Sequence, residues 1–140
     1  MKKLSLLLLG FAFAFIGCKN EANVVGEWET RSLEINGIPQ EICISNITIA
    51  QKTNNEYSFN GDSGVNRFFG SVEIKGNSFS VKDDMGSTKM MGEPRAMEFE
   101  DNFIKTLIEA DSVKVYTENN ADFLTIENKD KTMKLVFIKK

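Results

Sequence analysis

The chain of 140 residues contains no histidine. That absence removes the usual base of a serine or cysteine nucleophile, and the commonest nitrogen ligand of zinc. Cysteine is nearly as scarce, with only Cys18 and Cys43, so neither a disulfide framework nor a cysteine-rich metal site can be built. No Lys/Arg block exceeds a dipeptide, and the net charge is −3. A nucleic-acid binder needs a basic face to displace phosphate counterions, so that class is excluded as a partner. No apolar run reaches the about 20 residues of a spanning helix.

Against these absences, Gly61-Asp62-Ser63-Gly64 stands out, because the same four letters surround the nucleophile of trypsin-like proteases. Ser63 has no histidine to serve it. No Ser-x-x-Lys pair occurs, and Val65 replaces the second glycine of a Gly-x-Ser-x-Gly elbow. The four residues are therefore expected to be a turn between strands. The acid ladder of a calcium loop is missing here too, and Asp83-Asp84 reads as a solvated hairpin. No catalytic residue, metal or cofactor is expected.

The N-terminus has a separate character. Met1-Lys2-Lys3 is basic, and Leu4–Gly17 is apolar apart from Ser5. This is the pattern of a secretory signal. The ending Phe15-Ile16-Gly17-Cys18 resembles a bacterial lipobox, although Phe15 departs from the usual Leu. The implied chemistry is cleavage before Cys18, a diacylglycerol on its sulfur and acylation of the new amine; two or more chains give stable anchoring. The simpler alternative is a cleaved signal with a chance cysteine. The expected organisation is a signal peptide at 1–17, a lipidated tether at 18–23 and a folded domain at 24–140. The mature chain loses Lys2 and Lys3 and becomes more acidic, which suits a body held off anionic lipid on a tether. Cys43, left without a partner between Ile42 and Ile44, is expected to be a small core residue.

The domain reads as short strands. Alternating apolar residues occur in Val24–Ile35, at Ile47/Ile49, Tyr57/Phe59, Val72/Ile74, Phe79/Val81 and Val113/Val115, in Phe123–Ile126, and at Met133/Leu135/Phe137. Asn36-Gly37, Lys75-Gly76-Asn77, Asn119-Asn120 and Glu127–Lys131 punctuate them as turns. Residues 94–111 break the rhythm with Met97, Phe103, Ile104, Leu107 and Ile108 at helical spacing. Pro94 suits a first turn, and Glu98, Glu100 and Asp101 suit the positive end of the helix dipole. The predicted fold is mainly β: an antiparallel, about eight-stranded lipocalin-like barrel or strongly curved sheet. One helix, at about 95–110, falls between strands 5 and 6 and covers an open end or edge. A barrel this small is filled by its own aromatics, Trp28, Tyr57, Phe59, Phe68, Phe69, Phe79 and Phe137; a pocket for a small apolar ligand is the alternative. Phe68 and Phe69 are adjacent and so point to opposite faces, which leaves one exposed as a candidate partner contact.

Three blocks in order carry a family resemblance. VVGEWETRSLEINGIP (24–39), GVNRFFGSVEIKGNSFSV (64–81) and GSTKMMGEPRAMEFEDNFIKTL (86–107) resemble the META-domain, or HslJ-like lipoprotein, family. The match spans about residues 24–138. Val65 and, at about its position, Gly92 stand where the family has cysteines, and Lys89 stands where it has arginine. The resemblance implies a small β-barrel with a helix, an envelope setting at a bacterial outer membrane, and a link to stress response. It implies no known reaction. It marks Gly64, Asn66, Arg67, Phe69, Gly70 and Glu98 as motif positions with a structural or recognition role. Asn66 is expected to bond a glycine-rich turn, and Arg67 to pair inward with Glu98 or Asp101 of the helix; an exposed Arg67 would instead suit a carboxylate or phosphate. The expected function is a monomeric, non-enzymatic, lipid-anchored envelope protein acting in stress tolerance or protein contact.

Overall fold

A computed structural model describes residues 23–140 of the protein. The signal segment, Cys18 and nearly all of the tether lie outside the described residues. The ring is built from β1 (Gly26–Ile35), β3 (Asn46–Gln51), β4 (Glu56–Asp62), β5 (Arg67–Lys75), β6 (Ser78–Val81), β8 (Ser112–Glu118), β9 (Ala121–Glu127) and β10 (Met133–Lys139). Every neighbouring pair is antiparallel, and β10 returns to β1 along Trp28↔Lys139 to Ile35↔Met133, which closes an eight-stranded barrel. Two short pieces lie off the ring: β2 (Ile38–Pro39) pairs with the end of β1, and β7 (Gly86–Ser87) pairs with β5. The helix α1 (Pro94–Glu109) follows five ring strands and precedes three, as the hydrophobic periods predict.

The turns form where the sequence places left-handed backbone. Asn36-Gly37 and Asn119-Asn120 all have positive φ, the signature of a hairpin turn whose twist matches its strands. The β6–β8 junction is the thin seam, a single partnered position, Ser78↔Ser112, held by Val113 N–H to Asn77 O and Phe79 N–H to Asp111 O, both 2.9 Å.

The interior is filled by apolar side chains. Trp28, Leu33, Ile47, Phe59, Phe68, Leu124, Leu135 and Phe137 are all buried on the inward phase of their strands. Phe103 of α1 reaches into them. Its ring centroid lies 5.4 Å from Phe68, 5.8 Å from Phe99 and 6.0 Å, edge-on, from Phe137, all in the favoured range for aromatic pairs. The aromatics thus occupy the space that an interior ligand would need. Tyr57 is only half-buried, and Phe69 is 55% exposed.

The helix is rotated from the expected stripe. Its buried face is Phe99, Glu100, Phe103, Thr106 and Leu107. Met97 and Ile104 are half-buried and Ile108 is exposed. The helix carries two apolar stripes, and the one that holds the two phenylalanines together with Glu100 faces the barrel. Its first turn carries no acid. Glu100 faces inward to a polar anchor, and not outward to the helix dipole.

Phe103→Ala is expected to lower unfolding free energy by about 3–5 kcal/mol, since it empties the centre of the aromatic cluster. Phe69→Ala should stay within about 0.5 kcal/mol of the parent. Thermal and denaturant unfolding of the two variants checks this contrast.

Candidate functional site

The motif residues converge on one buried carboxylate. The chain leaves β4 at Asp62 and enters β5 at Arg67, and the four residues between them curl under α1. Ser63 N–H donates to Asn66 O at 2.9 Å, which closes the turn. Gly64 sits in it at φ +110°, and a Cβ there would meet the Phe99 ring at 3.2 Å and Cys43 Cβ at 3.4 Å. Only glycine both adopts that backbone and leaves the helix room. Gly61 has a different role from the expected turn residue. It lies within β4, where a Cβ would stand 2.1 Å from Asn46 O.

Glu100 enters this turn from the helix and is only 6% exposed. Its Oε1 accepts from Ser63 Oγ and from the Asn66 backbone N–H, both at 2.6 Å, and its Oε2 accepts from Asn66 Nδ2 at 2.7 Å. Asn66 also reaches the segment after β7. Its Oδ1 accepts from Met90 N–H at 2.6 Å and from Thr88 Oγ1 at 2.9 Å, and its Nδ2 donates to Met90 O at 3.1 Å. One amide therefore ties together the β4–β5 turn, the 88–91 strap and the helix. Among the described residues no Lys or Arg forms an ion pair with Glu100. Burial pushes its pKa up, but the donors from Ser63, Asn66 and the Val65 backbone outweigh burial and hold it below its ordinary value.

Arg67 does not join the helix. Its Nε lies 3.4 Å from Asp62 Oδ1, and its side chain is 80% exposed. The reason is strand phase: Asn66 and Phe68 face inward to α1, so Arg67 between them faces out. Glu98 is exposed beside Arg95 and Asn102 and touches neither Asn66 nor Arg67. The carboxylate that the motif needs is Glu100, two residues on. Its signal was in the sequence, as an acid between Phe99 and Phe103 on the face those rings define. Gly70 lets strands approach, for a Cβ there would stand 2.7 Å from Phe59 Cζ and 3.2 Å from Met85 Cα. Asp84, expected to be solvated, accepts from Ser71 Oγ at 2.7 Å and Ser71 N–H at 3.0 Å, and the Ser71 hydroxyl leads in holding its pKa low. Cys43 is half-buried against the core, with Ile44 beside it exposed.

Val65 and Gly92 face each other. A Cβ on Gly92 would stand 2.5 Å from Val65 Cγ2 and 3.4 Å from Val65 Cβ. The valine thus packs on the glycine, which closes the segment after β7 over the turn.

Two depressions flank this anchor. The first is a groove of about 590 Å³ between α1 and the strap. Met90, Met91, Met97, Ile104 and Ile108 line it, with Asn66 and Glu100 at its floor. Met91 is 88% exposed. The second, of about 400 Å³, lies on the outer face of β3–β5 and contains Arg67 and Phe69.

A model of the META domain family matches residues 22–140. The curated proteins contain no match. Two solved structures share the fold. A Burkholderia xenovorans protein, solved by NMR, is 19% identical, with a TM-score of 0.67 over 82% of this chain and 81% of its own. A DUF4847 family protein from Bacteroides vulgatus is 16% identical, with a TM-score of 0.56 over 82% of this chain and 92% of its own.

Glu100→Gln is expected to destabilise by about 1–3 kcal/mol, because its amide nitrogen would meet the Asn66 donor across a buried contact. The depressed pKa of Glu100 also fixes a direction with pH. Its contribution is full above the ordinary carboxylate value of 4.5 and is lost as pH falls through the lower folded value. Unfolding curves across that acid range should be flatter for Glu100→Gln than for the parent. Separately, Val65→Cys with Gly92→Cys should form a disulfide under mild oxidation, as the Cβ separation is close to the usual ~3.8 Å; thiol titration reads this directly.

Proposed function

The chain belongs to the META domain family, and from that premise we propose that it is a non-enzymatic envelope lipoprotein. It is held in a bacterial outer membrane by acyl chains on Cys18 and acts through protein contact in envelope stress tolerance. The observation that carries this reading is the groove between α1 and the strap. Its walls are the outward stripe of the helix and the exposed Met90 and Met91. Contiguous exposed apolar surface marks contact sites, and methionine adapts to varied partner shapes.

The polar chemistry beneath supports the same reading. Glu100, Ser63 and Asn66 spend their hydrogen bonds on one another, on backbone and on the Thr88 hydroxyl. A general base works best with a pKa raised toward the working pH, whereas three short bonds from protein donors hold the Glu100 carboxylate below its ordinary value. The groove volume is that of a ligand site, and it lies outside the barrel. Small-molecule binding, the second reading, therefore belongs to the groove and not to the interior.

Two measurements test the two halves. Cells fed labelled palmitate should label the parent chain and not Cys18→Ser; equal labelling defeats the anchor. A photo-crosslinking residue at position 91 should yield a discrete protein adduct in intact cells, and Ile108→Asp should remove it without changing the melting temperature. An adduct that Ile108→Asp leaves intact, or that a probe at Lys129 in the exposed β9–β10 turn reproduces, counts against the groove.

A further inference from the structure

The outer face of β3, β4 and β5 lies apart from the groove and has a different chemistry. Strand register lays two polar rows across it. Thr48 stands opposite Asn60, and Asn60 opposite Phe69; Asn46 stands opposite Asp62, and Asp62 opposite Arg67. Adjacent strands hold such partners about 5 Å apart and successive outward residues about 7 Å apart. The rows form the lining of a depression of about 400 Å³.

Three features distinguish this face from ordinary solvated strand surface. First, the Phe69 ring is laid down before any ligand arrives. It lies over Gly86 so closely that a Cβ there would be 2.7 Å from Phe69 Cζ, while the residue remains 55% exposed. Second, donors and acceptors are left free. Asp62 is held by Asn46 Nδ2 at 3.3 Å and by Arg67 Nε at 3.4 Å. Among the described residues the Asn60 amide, the Thr48 hydroxyl and the terminal guanidinium nitrogens of Arg67 make no hydrogen bond. Third, the side-chain charges cancel. Glu27 and Asp62 are matched by Arg67 and Lys140 in the same lining, although the chain as a whole is acidic.

A ligand complementary to this face carries no net charge, offers many hydroxyls, and has an apolar C–H surface to lie on an aromatic ring. We propose that the face is a binding platform for a neutral glycan. The Phe69 ring takes the C–H face of one sugar unit, Asn60 and Arg67 beside it hydrogen-bond that unit's hydroxyls, and Thr48, two strands from Phe69, bonds those of the next unit. A highly acidic glycan is disfavoured because Glu27 and Asp62 belong to the same lining. An exposed arginine beside an aromatic would suit an anion on its own, but here Asp62 engages its Nε and offsets its charge. The proposal is independent of the groove and of the lipid anchor, and it stands or falls without them.

The test uses the full chain in phosphocholine micelles, with chitotetraose and maltotetraose as probes and saturation-transfer NMR as the readout. Transfer to the ring C–H protons of at least one probe is expected. Phe69→Ala should weaken affinity about tenfold or more, the scale of losing an aromatic contact with its area burial. Thr48→Val, which keeps shape and removes only the hydroxyl, should weaken it less, and Met91→Ala in the groove should leave it unchanged. Unaltered thermal unfolding of Phe69→Ala and Thr48→Val separates lost binding from lost fold. The proposal is overturned if neither probe shows transfer, if transfer survives Phe69→Ala undiminished, or if moderate salt abolishes it as it would an ionic contact.

Discussion

A single carboxylate, Glu100, holds the helix to the barrel, and much of the surface depends on it. A buried charge with no cation beside it is costly unless donors replace the water it has lost. Here Ser63 and both nitrogens of Asn66 supply them within 2.7 Å. Such donors cannot drift, because each is fixed by its own backbone turn. Asn66 then extends the restraint to Thr88 and Met90. The strap that forms one wall of the groove is therefore positioned through the same side chain that neutralises the helix carboxylate.

The barrel needs that restraint at a particular place. Seven of its junctions are proper ladders, but β6 meets β8 at one partnered position. The connection between those two strands carries β7, the strap and α1. The helix packs against β6, on one side of that junction, and against β9 and β10. Phe103 seats the helix by burying apolar area, and Glu100 sets its rotation. A purely apolar contact would allow the helix to present either of its two apolar stripes. The polar anchor selects the phenylalanine stripe for the core and leaves Met97, Ile104 and Ile108 for the groove.

Much of the architecture was legible before any coordinates. Alternating residues such as Val72 and Ile74 mark inward faces because side-chain direction in a strand follows period 2. Asn36-Gly37 and Asn119-Asn120 mark hairpins because their backbone must enter left-handed space. The opposition of Phe68 and Phe69 followed from the same geometry. The partner of Arg67 did not follow. Reading Asn66-Arg67 together with an acid block on the helix suggests an ion pair, as opposite charges invite that inference. Strand phase turns Arg67 outward, and the amide beside it takes the carboxylate. The helix stripe differs from its periodicity for a related reason: an acid early in a helix suits the dipole, and only the Asn66 turn beneath it makes Glu100 a buried residue.

Local rules therefore settle what each described segment of this protein is: ladders of alternating residues, Asn/Gly turns and one amphipathic helix. They act over neighbouring residues, where steric limits on φ and ψ and the periods of strand and helix leave few choices. Which residues meet across the molecule was decided only in three dimensions. The closure of β10 onto β1, the meeting of Val65 with Gly92, the burial of Glu100 against Asn66, and the row that sets Phe69 beside Asn60 and Thr48 all join positions far apart in the chain. Such contacts depend on register and on the rotation of the helix, and those are chosen by the packing of the whole core, which no short stretch of sequence contains.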